Sequence, residues 1–250
     1  MKLSFCGLIK TDLGSAKRLI SNIEDMVDEI VIVDTGSDQK VIDFFQQKSI
    51  TLIRAEWKND FSLYRNLAIE KSSGDWILSL DSDETITDEL KKKIKMLPLI
   101  SATKEGYRFR RIHFYDEKNP LMDHWKPLRL YQRSARYSGV VHESICNLKN
   151  VEEINDKDCC IEHHNTREGE RRKFLKYRAN LRALLQEAEN RRDQRMSEYF
   201  KFNLWVQEEV YFKEINSNIT QDRINDLYNS YNQKKEQYLK MVSQKGWTAV

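Results

Sequence analysis

Two carboxylates set two residues apart are the first residues with chemistry to offer. Asp81-Ser82-Asp83 follows an apolar run, Trp76-Ile77-Leu78-Ser79-Leu80. Acids on a turn at a strand end can both face one cavity. There they bind a hard divalent cation, which in turn holds phosphates. An isolated D-x-D is more often a solvated turn or a helix cap. Its place at the carboxyl end of a buried strand lifts it above that, and Glu84 and Thr85 add polar groups to the same turn. Asp34-Thr35-Gly36-Ser37 repeats the arrangement after another apolar run. An acid there can accept hydrogen bonds from a nucleobase or ribose, Gly36 allows close approach, and Ser37 can cap the next helix. A plain loop with a helix cap fits those residues equally well. In Trp57-Lys58-Asn59-Asp60-Phe61-Ser62, Asp60 is a possible N-cap, and Arg65 and Asn66 follow one turn later. A cation at that point could meet a diphosphate, although a surface arginine is the commoner case.

The elements that must position these residues alternate strand and helix. Residues 2–9 read as a short buried strand. From Ser15 the positions Ala16, Leu19, Ile20, Ile23, Met26 and Val27 keep helical 3–4 spacing. Glu29-Ile30-Val31-Ile32-Val33-Asp34 is β-branched and apolar throughout, the pattern of a strand covered on both faces. A helix is expected over 40–48, a strand over 50–54, a helix over 61–71 and a strand over 76–80. Thr87-Asp88-Glu89 then opens a helix with acids in its first turn. Such alternation over the first 95 residues means a doubly wound α/β sheet. In open sheets of this kind ligands sit outside the carboxyl ends of the strands, where these acids fall.

Residues 101–165 are mixed, with an aromatic-basic strand expected over 106–114 and another at Leu128-Arg129-Leu130-Tyr131. From Arg167 the chain reads as wholly helical. Phe174, Tyr177, Leu181, Leu184, Leu185 and Ala188 form one stripe, and Tyr199, Phe202, Val206 and Val210 another, with residues 191–195 as the turn. One helical pair is too little for a repeat array. Residues 217–250 read as polar helix with a loose end.

Composition narrows the classes. The chain has 250 residues, 40% of them hydrophobic and 32% charged, so it can build a substantial core. With 8 Gly and 3 Pro it is neither collagen-like nor low-complexity. No apolar run approaches the roughly 20 residues of a membrane span, and no signal-type apolar stretch follows Lys2. Four cysteines without a C-x-x-C pair suggest a reducing, cytoplasmic setting. The net charge of +3 argues nothing about nucleic acid. Residues 1–100 carry net −3 and residues 101–200 net +5. That basic bias is ordinarily a solvated helix face, but it could serve phosphate-rich substrates or peripheral contact with an anionic membrane through Arg167, Arg171, Arg172, Lys173, Lys176 and Arg178.

In order and spacing, the V-D-T-G-S turn, the W-x-x-D-F-S-x-x-R-N segment and the W-I-L-x-L-D-S-D-E strand end resemble the bacterial family 2 glycosyltransferases. The likeness is to the subgroup with lipopolysaccharide-core glucosyltransferases and peptide S-glycosyltransferases. His124-Trp125-Lys126-Pro127, with Arg129-Leu130 beyond, Gly139-Val140-Val141-His142-Glu143 and Ile161-Glu162-His163-His164 extend it over about residues 1–165. Relatives often show an Asn-Glu pair where this chain has Thr11-Asp12, with Asp12 as a possible stand-in.

The resemblance implies a GT-A (Rossmann-like) mixed sheet flanked by helices with a C-terminal helical appendage. Residues 1–165 would be the glycosyltransferase domain, 1–100 its nucleotide-sugar half and 101–165 its acceptor half, with a helical region over 166–250. By resemblance Ile9, Lys10 and Asp34 would hold the nucleoside, Arg65 would approach the diphosphate, and Asp81 would contact ribose or metal beside Ser82. Asp83 would bind Mn2+ or Mg2+, completed by His163 or His164, with His163 favoured by the motif. Adjacent strand residues point to opposite faces, so only one of the two histidines can be a ligand. Inversion needs a base. Glu143 fits that role if its motif ends at a helix N-terminus, and His142 is the rival. The donor would be a nucleotide sugar, UDP-linked by expectation, and the acceptor a saccharide, lipid-linked or peptide group. A nucleotidyltransferase is disfavoured by the glycine-poor first loop. A non-catalytic partner- or membrane-binding protein is disfavoured by the intact Asp81, Asp83, Arg65 and Glu143 set.

Overall fold

The computed structural model of the chain describes residues 2–100, 103–114, 121–122, 126–141, 143–164, 170–206 and 221–246. It divides into two compact units, Met1–Arg167 and Glu168–Val250.

In the first unit strand and helix alternate: β1 (Leu3–Ile9), α1 (Leu13–Ile23), β2 (Glu29–Asp34), α2 (Gln39–Gln46), β3 (Ile50–Arg54), α3 (Phe61–Lys71) and β4 (Trp76–Leu78). The amphipathic spacing of α1 buries Ala16, Leu19, Ile20 and Ile23, each at 0–1% exposure. Each of the larger side chains contributes on the order of 1.5–3 kcal/mol through burial. Asp12 starts the helix by accepting from the Ser15 amide at 3.0 Å, so this acid has a capping task that the sequence comparison with an Asn-Glu pair did not suggest. Val31, Ile32 and Val33 of β2 are all fully buried, as a strand covered on both faces requires.

The chain continues through β5 (Glu84–Ile86), α4 (Asp88–Ile100), β6 (Gly106–Arg108), β7 (Arg110–Phe114), β8 (Leu121–Met122), β9 (Leu128–Gln132), β10 (Tyr137–Ser138), β11 (Ser144–Ile145), β12 (Val151–Glu153) and β13 (Cys160–His164). A seven-stranded sheet has the order β12-β6-β9-β4-β1-β2-β3. The run β4-β1-β2-β3 is parallel, and β9 lies antiparallel between β4 and β6. The sheet is therefore mixed, with helices flanking it, rather than parallel throughout. The expected single strand over 106–114 is two. A register irregularity between Tyr107 and Arg108 ends β6 against β9, and β7 joins a second sheet of order β5-β13-β7-β8. Fully buried Phe109 is the corner between them.

Chain order explains where a ligand would sit. From central β1 the chain moves outward to β2 and β3, then returns to β4 on the other flank. The turns after β1, β2 and β4 lie at the carboxyl ends of these adjacent parallel strands, the end at which open α/β sheets bind ligands.

The second unit contains α5 (Glu170–Asn190), α6 (Gln194–Trp205) and α7 (Gln221–Gln244). Leu181 and Ala188 of α5 are buried as their spacing predicts, but Tyr177, expected on that stripe, is 45% exposed. The buried positions of α6 are Ser197, Phe200 and Leu204 rather than the Tyr199–Phe202–Val206 face. Both faces of α6 are apolar, and Phe202 instead stacks on Tyr238 of α7 at 5.1 Å. The α5–α6 turn closes at Asp193, which caps α6 through the Met196 amide. The side chains of Arg171, Arg172, Lys173 and Lys176, together with Arg167, Phe174 and Val210, lie outside the described residues. No helix among the described residues is long and apolar enough to cross a membrane.

Candidate active site

Three groups of residues meet the crevice ends of the strands. The first closes β1 and β2. Asp34, at the end of β2, is 2% exposed, and its carboxylate accepts from the Gly36 amide at 3.0 Å and the Ser37 amide at 3.1 Å. Gly36 has φ 121°, so the turn needs glycine there. Ser37 does not cap α2; its hydroxyl accepts from the Thr11 amide at 3.1 Å and ties the β1 loop to the β2 turn. Lys10 is exposed, with its ammonium end beside Gly36. Ile9 is fully buried, and its carbonyl accepts from the Thr35 amide. Its side chain is therefore core, and what Ile9 presents at the strand end is backbone.

The second group is an ionic ladder. Arg65 projects from α3, whose start is fixed by Asp60 accepting from the Leu63 amide at 3.0 Å. The Arg65 guanidinium, 9% exposed, reaches Asp81 Oδ1 through Nη2 at 2.8 Å, Glu143 Oε1 through Nε at 2.5 Å and Ser79 Oγ through Nη1 at 3.3 Å. Arg129 Nη2 bonds Asp81 Oδ2 at 2.5 Å and Glu84 Oε1 at 2.7 Å. Fully buried Glu84 also faces Arg111 at 3.3 Å and accepts from the Asp81 amide at 3.0 Å. Burial alone would raise the Asp81 carboxyl, but Arg129 and Arg65 overcome it and hold it well below the usual carboxylate range. Burial likewise opposes the charge on Arg65. Asp81, Tyr137 and Glu143 outweigh it and raise this guanidinium well above its ordinary value. The same balance at Arg129, with Asp81 and Glu84 as the attracting charges, keeps it firmly protonated.

Arg65 is thus held by two carboxylates and a hydroxyl, and both Asp81 oxygens accept from arginines.

The third group forms around Asp83. Antiparallel pairing of β13 with β5 sets His163 opposite Glu84, next to the 81–84 turn, which also holds Ser82 and closes through the Glu84 amide on the Asp81 carbonyl. His163 Nε2 then lies 3.2 Å from Asp83 Oδ2, with Asp83 39% exposed and His163 17%. His164 points elsewhere, its Nε2 2.7 Å from Thr85 Oγ1. Burial, then the nearby Arg18, lowers its pKa. Around an octahedral cation with ligands at ~2.1 Å, neighbouring donors lie ~3.0 Å apart. The Asp83–His163 pair fits that spacing. Among the described residues no cluster of three or more His, Cys, Asp or Glu could hold a metal, and this pair is the donor set they offer at the turn.

Glu143 is delivered by a different device from the expected helix N-terminus. Gly139, at φ 99°, turns the chain directly after β10, in the loop that joins β10 to β11 and carries Glu143. Three bonds clamp this segment to α3. The Phe61 amide bonds the Val140 carbonyl at 2.9 Å, and Asn66 bonds both the amide and the carbonyl of Tyr137, at 2.9 and 3.0 Å. The Glu143 side chain is 13% exposed, and among the described residues its Oε2 accepts no hydrogen bond. His142 lies outside the described residues, as do His124 and Trp125.

Reading the sequence put Glu84 in the 81–84 turn and Arg129 in a downstream motif without partners, and gave His113 no role. Arg129 carried a signal: a charge between Leu128 and Leu130 in an apolar strand must find a buried partner. The pairing of Glu84 with its arginines and of His113 with its histidine carried none, because the partners lie far away in the chain.

Fold and site together define the class, an α/β transferase domain of GT-A type. Residues 13–169, more than half of the chain, match the model of Glycosyl transferase family 2. The chain belongs to that family, and its first unit is a glycosyltransferase domain. It is 30% identical over 92 residues, 36% of its length, to the glycosyltransferase SunS of Bacillus subtilis, and covers 22% of that protein. A TPR repeat-containing protein of Synechococcus elongatus is 34% identical over 85 residues, 34% of this chain and 21% of the relative. An uncharacterized glycosyltransferase of Rickettsia felis is 25% identical over 162 residues, 60% of this chain and 56% of that protein. The chain thus spans about a fifth to about half the length of these relatives. In fold it resembles S. aureus TarS 1-349, solved in complex with UDP-GlcNAc, with TM-score 0.51 and 14% identity over 94% of this chain and 81% of that one.

Proposed function

We propose that the protein transfers a sugar, with inversion, from a UDP-linked donor to a saccharide, lipid-linked or peptide acceptor, aided by Mn2+ or Mg2+ at Asp83 and His163. The observation that carries this reading is the Asp83–His163 pair, 3.2 Å apart at the carboxyl-end crevice of a family 2 domain. Carboxylate with one imidazole suits Mn2+ or Mg2+ better than Zn2+. The bound ion would neutralise charge on the departing diphosphate, and its remaining positions would go to phosphate oxygens and water. Asp34 and Lys10 border the nucleoside end of the crevice.

Glu143 acts as the base. Arg65 holds its Oε1 and leaves Oε2 for the acceptor proton. The acceptor hydroxyl or thiol loses its proton to Oε2, its lone pair forms the bond to the sugar C1, and the C1–oxygen bond to the diphosphate breaks with its electron pair. Arg65 ties Glu143 to Asp81, so the base is set against the donor side of the site. Support for a UDP-linked donor comes from TarS, a fold relative solved with UDP-GlcNAc.

A thermal-shift panel of UDP-, GDP- and dTDP-sugars, with and without Mn2+, tests the reading. UDP-sugars should raise Tm, and more so with Mn2+. A panel in which no nucleotide sugar shifts Tm overturns it.

A further inference from the structure

We propose that the cleft at the amino end of β4 is a second binding site, separate from the candidate active site, and that it takes a terminal phosphate group. A cavity of about 480 Å³ opens there between the start of β4 and the turn after β9, lined by Asp75, Trp76, Gln132, Arg133, Ser134 and Arg136. Its size is that of a small-molecule site. Trp76 begins β4 and pairs with Gln132, the last residue of β9. Asp81 stands five residues beyond Trp76, or about 16 Å along an extended chain. A ligand in this cleft is therefore held without Asp81, Asp83 or His163.

The turn that presents the arginines is fixed by its own backbone. The Ala135 amide bonds the Gln132 carbonyl at 2.9 Å, the Arg133 amide bonds the Asp75 carbonyl at 3.0 Å, and Asn147 Nδ2 bonds the Ser134 carbonyl at 2.7 Å. Arg136 is then held by that turn, since its Nη1 donates to the carbonyls of Arg133 at 3.0 Å and Ala135 at 2.7 Å. A guanidinium carries five N–H donors in a rigid fork, so pinning one nitrogen orients the others. Its Nε and Nη2 meet no acceptor among the described residues. Arg133 is exposed and pairs with no carboxylate among the described residues. The Ser134 amide and hydroxyl also donate to no acceptor among them, whereas Gln132 uses its amide on the Lys104 carbonyl at 3.1 Å. The one acid of the lining, Asp75, accepts from the Lys2 amide at 2.9 Å and forms an ion pair with neither arginine. Two guanidiniums against one carboxylate leave the cleft with a positive balance. Two guanidiniums, a hydroxyl and an amide offer more donors than the two oxygens of a carboxylate can use. A terminal phosphate, with three free oxygens, suits them better, and the guanidinium fork matches its geometry. A soluble phosphate ester and a lipid phosphate headgroup present that same group, and the experiment tells the two sources apart.

Calorimetric titration of the full chain with inorganic phosphate, in EDTA and at fixed ionic strength, tests the site in the absence of divalent cations. Wild type should bind phosphate saturably and acetate about tenfold more weakly. Arg133→Gln and Arg136→Gln should each weaken phosphate by about tenfold or more, the factor that a lost charge-assisted bond carries. Lys92→Gln, which removes an exposed charge on α4, should stay within about twofold of wild type. Arg133→Gln should keep the Tm response to UDP-sugars and Mn2+ that wild type shows, and loss of that response in the variant would show one site instead of two. Sedimentation with phosphatidylcholine vesicles, with and without phosphatidic acid, identifies the source of the phosphate. A headgroup is the ligand if phosphatidic acid adds binding that Arg133→Gln removes, and a soluble ester is the ligand if wild type binds phosphate but neither vesicle. The site is overturned if wild type shows no saturable phosphate binding, if Arg133→Gln binds phosphate like wild type, if Lys92→Gln falls as far as Arg133→Gln, or if acetate binds as tightly as phosphate. Arg136 also braces its own turn, so should that variant fail to fold, Arg133→Gln decides alone.

Discussion

Replacing Arg65 with alanine should cost about 3 kcal/mol of stability at pH 7, and the cost should shrink in acid. The magnitude follows from what each partner loses. Glu143, 13% exposed, loses the charged group that pairs with it, and stranding a buried charge in this way costs roughly 3–5 kcal/mol. Asp81 loses one of two arginines, but it is 37% exposed and keeps Arg129, so solvent screening reduces its share to well under ~1 kcal/mol. The Ser79 contact, at 3.3 Å, adds little. Relaxation of the Glu143 side chain toward water returns part of the cost, which places the sum near the lower end of the buried-pair range. For a domain of this size that is about 6–12 °C in Tm. The pH dependence has a definite sign. Arg129 and Arg65 depress the folded-state Asp81 carboxyl, so its stabilisation is fully present above the unfolded pKa of about 3.9 and is lost as pH falls through the folded value. Removing Arg65 weakens that depression. The difference between wild type and variant should be flat above about pH 6 and should narrow below about pH 4. Urea unfolding followed by tryptophan fluorescence at several pH values measures it. Arg65→Lys should recover only part of the loss, because one ammonium cannot span two carboxylates and a hydroxyl. A loss under ~1 kcal/mol that does not vary with pH would show that the ladder is ornamental.

Glu143→Gln should lower turnover by about 10²-fold or more with little change in donor affinity, as removal of a general base does; a near-normal rate would return the role to His142. Native protein should react with a thiol reagent at exposed Cys146 alone, because Cys6, Cys159 and Cys160 are buried and burial pushes the Cys6 thiol up to about 12. Reaction of a second thiol at the rate of the first, in folded protein at pH 8, would contradict the packing of β1 and β13.

Much of the fold was legible because it is written in local spacing. The 3–4 pattern of α1, the unbroken apolar run of β2 and the cap at Asp60 each depend on residues within a few positions. Reading failed where two local patterns were equally good, as at α6, where Phe200–Leu204 and Tyr199–Phe202 both keep helical spacing and only the arrival of α7 separates them. It failed again at residues 106–114, where period-2 alternation is continuous but a register irregularity sends the chain into a second sheet. Site residues were legible by type and position, and their partners were not. Glu143 lies 78 residues from Arg65 and His113 lies 50 from His163. No window along the sequence joins them.

Those long-range partners also decide which carboxylate is available for chemistry. Asp81, Glu84 and Glu143 each face an arginine, and Asp81 faces two. Their charges are matched inside the protein, and their first task is to hold the β4 end, the β9 strand and the hairpin carrying Glu143 in one frame. Asp83 differs. It stands two residues further along the turn and, at nearly the same exposure as Asp81, faces an imidazole instead of a guanidinium. A cation approaching this turn meets one carboxylate that no arginine among the described residues matches and an imidazole nitrogen 3.2 Å from it. The motif's two acids therefore divide the labour. Asp81 is framework that fixes where the turn lies, and Asp83 is the ligand which that framework presents. On this division Asp81→Asn should damage stability first and metal affinity second, and Asp83→Asn the reverse. Urea midpoints and Mn2+ titrations on the two variants separate the roles, and equal losses in both assays would refute the division.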